Sequence, residues 1–148
     1  MPTTWIVTAD SSRARILQVA GRERLVEVED FLNPEGRLHN REITTDANPR
    51  LHGPGGLGAR EEPSAVEHAV EMFSKRLGNY LEKARTDHRY DRLVLVAPPK
   101  FLGVMRKELG KEVEKLVADE LGKDLSWFNA RDLQLYLSGY AKGSARAP

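Results

Sequence analysis

The sequence predicts an α/β domain with a three-layer, mixed five-stranded sheet, and three observations support this. Three β-rich runs separated by tight turns occupy the first part of the chain, up to Phe31. An amphipathic helix and then alternating apolar runs follow from Ser64 onward. Between these two halves, about thirty residues show neither a helical nor a strand period. The chain thus reads as strands, a long loop, and then helices and strands in alternation.

Three strands are predicted at the start of the chain. Trp5–Ala9 is a short apolar run that stops at the turn formers Asp10-Ser11-Ser12. Strand character resumes over Ala14–Ala20, and a second turn at Gly21-Arg22-Glu23 leads to the alternating run Leu25–Phe31. Runs joined by tight turns are typical of an antiparallel meander.

Asn33–Pro63 is predicted to be a long loop. It contains scattered polar residues, four prolines and the glycine cluster Gly53–Gly58. Loops of this length inside a compact domain are uncommon and are usually functional or disordered. Function is therefore expected to reside here.

The amphipathic helix is predicted to run from Ser64 to about Ala84. Ser64 and Glu67 have the spacing of a capping box, in which each side chain bonds the other residue's backbone amide. Apolar residues then recur at helical spacing, at Val66, Val70, Phe73, Leu77, Leu81 and Ala84.

The second half alternates between strands and helices. Leu93–Ala97 is continuously apolar, as expected of a central strand covered on both faces, and Pro98-Pro99 ends it. A helical period extends from Phe101 to Gly122, and Gly110 is expected to divide it into two helices. Leu125–Phe128 is predicted to be the last strand. Asn129 would then cap a final helix that ends at Leu137.

The resulting order is βββ-loop-αβαβα. A right-handed crossover would place the first strand beside the fourth, which is the ribonuclease H-like layout. Residues 1–137 are predicted to form a single domain, and residues 138–148, which are small and basic, to form a flexible tail.

Composition narrows the class of function. The 148 residues carry a formal net charge of +1, so binding to nucleic acid would need a local patch of positive charge. The absence of cysteine excludes disulfides and thiolate chemistry. The N-terminal sequence has no signal-peptide pattern and no run is long enough to cross a membrane, so we expect a cytoplasmic protein without membrane insertion.

The catalytic and metal-binding patterns examined are weak. Asp10 ends the first strand and could serve a hydrolase of phosphoester or peptidyl-ester substrates, but the fourth strand ends in prolines without a second carboxylate. Beside two serines, Asp10 is expected to cap the turn instead. The histidines show none of the usual metal-binding spacings, at His39, His52, His68 and His88. We therefore expect no metal, no cofactor and no confident catalytic residue.

Positive charge is the remaining candidate for function. Loop arginines and glycines could contact phosphates on a mobile backbone, together with two arginines after the first turn. The candidate binding residues are Arg13, Arg15, Arg37, Arg41, Arg50, Gly55, Gly56 and Arg60.

The sequence resembles the bacterial host attachment protein family over nearly its whole length. The resemblance rests on Trp5–Arg15, the glycine-rich loop, the helix positions Phe73, Arg76-Leu77 and Tyr80-Leu81, and the segments Tyr90–Pro98, Phe101–Arg106 and Lys123–Leu125. That family is described as required for attachment to host cells. For a chain without an export signal, the resemblance implies an indirect role in attachment.

The family is similar in turn to the central domain of archaeal and eukaryotic peptide-chain release factors. In that domain the loop before the long helix carries Gly-Gly-Gln, which promotes hydrolysis of peptidyl-tRNA. Here Gly55-Gly56 is followed by Leu57 instead of glutamine. The resemblance therefore implies ribosome or RNA binding without catalysis. One alternative is a hydrolase of phosphoester or peptidyl-ester substrates that uses Asp10 and loop residues. Another is a protein-interaction or homo-oligomer module around Trp127 and Phe128, with an indirect role in attachment.

Overall fold

A computed structural model describes residues 2–21, 24–37, 65–129 and 131–137. Its elements follow the predicted order, and the helical stretch after the fourth strand is divided in two. They are β1 (Thr4–Asp10), β2 (Arg13–Val19), β3 (Leu25–Leu32), α1 (Ala65–Thr86), β4 (Arg92–Val96), α2 (Pro99–Glu108), α3 (Lys111–Glu114), β5 (Val117–Leu121) and α4 (residues 131–137).

The five strands form one mixed sheet in the order β3-β2-β1-β4-β5. β1, β2 and β3 pair antiparallel, as the meander predicts. β4 lies parallel to β1 on one side and to β5 on the other. The predicted placement of the first strand beside the fourth is confirmed, and the layout is ribonuclease H-like.

Helices cover both faces of the sheet, which gives the predicted three layers. One face packs against the buried side of α1, where Val70, Phe73 and Leu77 meet Trp5 of β1 and Leu95 of β4. The opposite face carries Ile6, Leu17, Val94 and Val96. The segment after β5 covers it through Leu125, Leu133 and Leu137.

The prediction for the last strand is wrong. Val117–Leu121 forms β5, whereas Leu125–Phe128 forms a turn closed by a bond from the Phe128 amide to the Leu125 carbonyl. The ladder with β4 shifts register between Leu93 and Val94, so Val117 and Leu121 face opposite sides of the sheet. This bulge removes the period of two that identifies a strand. The helical period before it is interrupted at Gly110 as predicted, but its second part ends at Glu114 and not at Gly122.

Only the beginning of the predicted loop Asn33–Pro63 is described. Residues 33–37 form a corner after β3, which we call the loop corner. Its last two residues, Gly36 and Arg37, are helical, so the loop prediction is wrong there, and Ser64 of the predicted capping box lies outside the described residues. The predicted flexible tail, residues 138–148, also lies outside them. Among the helices that the structure describes, none combines the length and the apolar character needed to span a membrane.

Candidate functional site

The candidate site lies at the carboxyl ends of the parallel strands β1 and β4. From β1 the chain turns toward β2, and from β4 it crosses toward β5 on the other side. Ligands of open α/β sheets commonly bind outside the strand ends at such a switch point. Three segments meet here, which are the β1–β2 turn, the loop corner and residues 124–128 after β5.

Asp10 is buried at the centre of this site and all its contacts are internal. Its Oδ1 accepts hydrogen bonds from the Ser12 amide at 2.8 Å, the Ser12 hydroxyl at 3.0 Å and the Arg13 amide at 2.9 Å. Its Oδ2 accepts from the indole Nε1 of Trp127 at 2.7 Å. The expected turn-capping role is confirmed, and Asp10 also fixes Trp127.

Arg15 holds the backbone of the same segment. Its side chain is only 4% exposed, although it is a cation. It forms an ion pair with Glu27 at 2.8 Å, and Nη1 donates to the carbonyl oxygen of Phe128 at 2.7 Å. A buried charge persists only when it is paired and hydrogen-bonded, and here the partners include the backbone beside Trp127.

Trp127 is half-exposed, with 47% of its surface accessible, and two arginines lie against its ring. The guanidinium carbon of Arg13 is 5.1 Å from the ring centroid, and that of Arg37 is 5.8 Å away. Arg13 is also bonded to Asp30 on β3, and this hydrogen bond raises the pKa of Arg13. Among the described residues Arg37 forms no ion pair, and its contact with Trp127 is a cation–π contact.

The loop corner is seated closely on the β1–β2 turn. Asn33 donates from Nδ2 to the carbonyl oxygen of Ser11 at 2.9 Å, and its amide donates to Ser12. A methyl group on Gly36 would overlap the carbonyl oxygen of Ser11, so only glycine fits here. This contact brings Arg37, the next residue, against Trp127.

Two further aromatic rings extend the surface. Phe128 and Tyr136 are 38% and 42% exposed, and their rings meet edge to face at 6.3 Å. We call Arg13, Arg37, Trp127, Phe128 and Tyr136 the Trp127 surface. Asn129 caps α4 as predicted, because its Oδ1 accepts from the Asp132 amide at 2.8 Å.

Asp124 lies close enough to Asp10 for the two carboxylates to interact. Partial burial, followed by the charge of Asp10, raises the pKa of Asp124, while hydrogen bonds from Ser126 oppose the shift. The folded state therefore binds a proton at Asp124 more tightly than the unfolded chain does.

This shift predicts a pH dependence of stability. Asp124 disfavours folding increasingly as pH rises through the ordinary aspartate pKa toward the raised value in the folded state. We expect Asp124→Asn to gain stability relative to wild type over this interval, as measured by urea unfolding from pH 3 to 7. Glu114→Gln, an exposed control on α3, should show no such trend. A constant difference between Asp124→Asn and wild type at all pH values would contradict the assignment.

The structure brings some of the predicted site residues together. Arg13 and Arg37 meet at Trp127, whereas Arg15 is committed to internal bonds. Outside the described residues lie Arg41, Arg50, Gly55, Gly56 and Arg60. In the part of the chain that the structure describes, no three histidine, aspartate or glutamate side chains form a metal-binding group.

Comparison with known proteins identifies the family. Residues 5–137 match the family described as "Protein required for attachment to host cells". The chain belongs to this family. The matched range contains β1, β4, the β1–β2 turn, the loop corner and the segment 124–128 that carries Trp127. The resemblance to release factors stays a prediction, because Gly55, Gly56 and Leu57 lie outside the described ranges.

Alignments with individual proteins cover less than half of those proteins' length. The uncharacterized protein RP470 of Rickettsia prowazekii (strain Madrid E) is 35% identical over 66 residues, which are 43% of each chain. A solved structure titled "Archaeal protein" aligns with 96% of this chain and 41% of its own, at 13% identity and a TM-score of 0.47. The Ppx/GppA phosphatase of Aquifex aeolicus aligns with 82% and 36%, at 12% identity and a TM-score of 0.43. This chain spans less than half the length of each.

Proposed function

We propose that this member of the host attachment family is a non-catalytic intracellular binding domain that engages RNA, free or within the ribosome. The contact would be made by the Trp127 surface and the adjoining segment 33–63. The supporting observation is the half-exposed indole of Trp127, fixed by Asp10 and flanked by Arg13 and Arg37. Aromatic rings stack on unpaired bases, and guanidinium groups contact phosphates.

The contacts of Asp10 support binding over hydrolysis. A general base or metal ligand needs a carboxylate oxygen that faces the substrate. Asp10 is only 2% exposed, and both its oxygens already accept hydrogen bonds from the protein. The hydrolase alternative would require Asp10 to give up the bonds that hold the turn and Trp127.

A protein partner, including a second copy of this chain, is the second candidate. The exposed rings of Phe128 and Tyr136 favour it, because aromatic residues and arginine are enriched in protein interfaces. Light scattering separates the candidates. A stable dimer that Tyr136→Ser converts to monomer would support this second candidate and count against the first.

The proposed function predicts weaker RNA binding when the Trp127 surface is altered. We expect Trp127→Ala and Arg37→Ala each to weaken binding of a labelled single-stranded RNA about 5- to 30-fold, since stacking and cation contacts contribute about 1–2 kcal/mol each. Fluorescence anisotropy at low salt measures the affinity, and cosedimentation tests the ribosome. Lys107→Ala removes an exposed cation on α2 and should have no effect. Wild-type protein that binds neither RNA nor ribosomes at low salt would overturn the proposal.

A further inference from the structure

We infer that the Trp127 surface selects single-stranded RNA, which lies along the carboxyl edge of the sheet from Trp127 to Lys100 and Lys123. The inference rests on the proposed function and specifies its ligand. Two features of the edge support it, which are a group of fixed, exposed rings at one end and a pair of lysines at the other.

The rings are held outward by buried charges. The indole of Trp127 donates a hydrogen bond to Asp10, and Arg15 donates a hydrogen bond to the carbonyl oxygen of Phe128. Phe128 in turn contacts the ring of Tyr136. Burying two charged side chains is costly, and here both position a short segment whose rings remain accessible. Fixed rings lose little conformational entropy when a base stacks on them.

Two lysines follow a close contact between two segments at the other end of the edge. A methyl group on Gly122 would be 3.3 Å from Cγ of Pro99, so the segments after β4 and β5 are in close contact. Lys100 and Lys123 each follow one residue after this contact, and both are exposed. In the described ranges neither forms an ion pair. They are therefore available to contact phosphate.

The strand order sets the separation between these two ends. β2, which begins at Arg13, is two strand spacings from β4, which precedes Lys100, and three from β5, which precedes Lys123. These spacings correspond to about 10 Å and about 14 Å. Asp124, which lies between Lys123 and Trp127 in the sequence and interacts with the charge of Asp10, disfavours a phosphate beside it. The edge thus offers stacking at Trp127 and phosphate contacts at the lysines, with an acidic group next to Lys123.

This arrangement fits unpaired rather than duplex RNA. In a duplex, the faces of the bases are stacked inside the helix and cannot reach a protein ring. A single strand can turn its bases onto exposed rings while its backbone follows a row of cations. A protein partner would use the rings, but it would not need the two lysines, Lys100 and Lys123, beside the acidic Asp124.

The test compares a labelled 12-nucleotide oligouridine with a 12-base-pair RNA duplex by fluorescence anisotropy at one salt concentration. We expect the single strand to bind at least about ten-fold more tightly. The double variant Tyr136→Ser, Phe128→Leu removes both rings, and leucine at position 128 preserves packing. It should bind the single strand at least about 5-fold more weakly and bind the duplex with unchanged affinity. The slope of log affinity against log salt is negative. Replacing Lys100 and Lys123 with alanine should make it shallower by about 1.4, because two phosphate contacts are lost. Thermal unfolding of each variant confirms that it is folded.

The outcomes separate the inference from the function on which it rests. Equal affinity for strand and duplex, with dependence on Arg37 retained, would overturn the inference and leave RNA binding intact. Absence of any RNA binding would overturn both. Self-association that competes with RNA and is removed by Tyr136→Ser would also overturn the inference, because the rings would then serve a second copy of the chain.

Discussion

Asp10→Asn is expected to destabilise the fold by about 2–4 kcal/mol and to release Trp127 from its fixed position. The carboxylate accepts hydrogen bonds on both oxygens, from the β1–β2 turn on one side and from the indole of Trp127 on the other. An asparagine amide has only one acceptor oxygen, so its NH₂ group must face a donor on one side. One set of buried donors would then lose its partner.

Urea unfolding measures this loss, and the emission of Trp127 reports its release. Asp30→Asn is the matched control, because Asp30 pairs with Arg13 at the surface and should contribute less than about 1 kcal/mol. If Asp10→Asn leaves stability unchanged, the structural role assigned to Asp10 is incorrect and the hydrolase alternative regains support.

Arg15→Met is the second large expected effect, a loss of about 2–4 kcal/mol. Methionine fills much of the same volume but leaves the carbonyl oxygens of Ser126 and Phe128 without their donor. Glu27 is 37% exposed, so water can hydrate it after Arg15 is removed. The loss of stability should therefore be smaller than for a fully buried ion pair. Because Phe128 follows Trp127 directly, RNA affinity should fall together with stability.

The control for Arg15 is its neighbour on the same strand. Arg13→Met removes an ion pair at the surface and a contact with Trp127, so it should cost less than about 1 kcal/mol of stability. Its RNA affinity should nevertheless fall. Equal destabilisation by the two replacements in urea would show that burial does not distinguish these two arginines.

Most of the fold could be predicted because its elements carry strong local signals. The apolar run Leu93–Ala97 is buried throughout, and the helical stripe on α1 is buried from Val70 to Ala84. β5 could not be located, because a bulge opposite β4 breaks its alternation and three of its five residues are exposed. Leu125 and Phe128 suggested a strand, but they belong to a turn in which Leu125 packs on the sheet and Phe128 is exposed.

The site was predicted only in part. The β1–β2 turn and the start of the loop were selected for their charge, and the structure places Arg13 and Arg37 on one ring. Their participation in binding stays a prediction. The link between Asp10 and Trp127 joins residues 117 positions apart, and no local pattern encodes it. The available signal was a tryptophan next to a phenylalanine in a short polar segment.

The most direct test of the central claim is the indole N–H region of a ¹H–¹⁵N spectrum during addition of single-stranded RNA. The chain has two tryptophans, and each indole has a defined partner, which is Gln18 for Trp5 and Asp10 for Trp127. Trp5 is buried and serves as an internal control. We predict that the Trp127 signal shifts progressively with RNA while the Trp5 signal stays in place. RNA binding that leaves the Trp127 signal unmoved would contradict a binding surface centred on that ring.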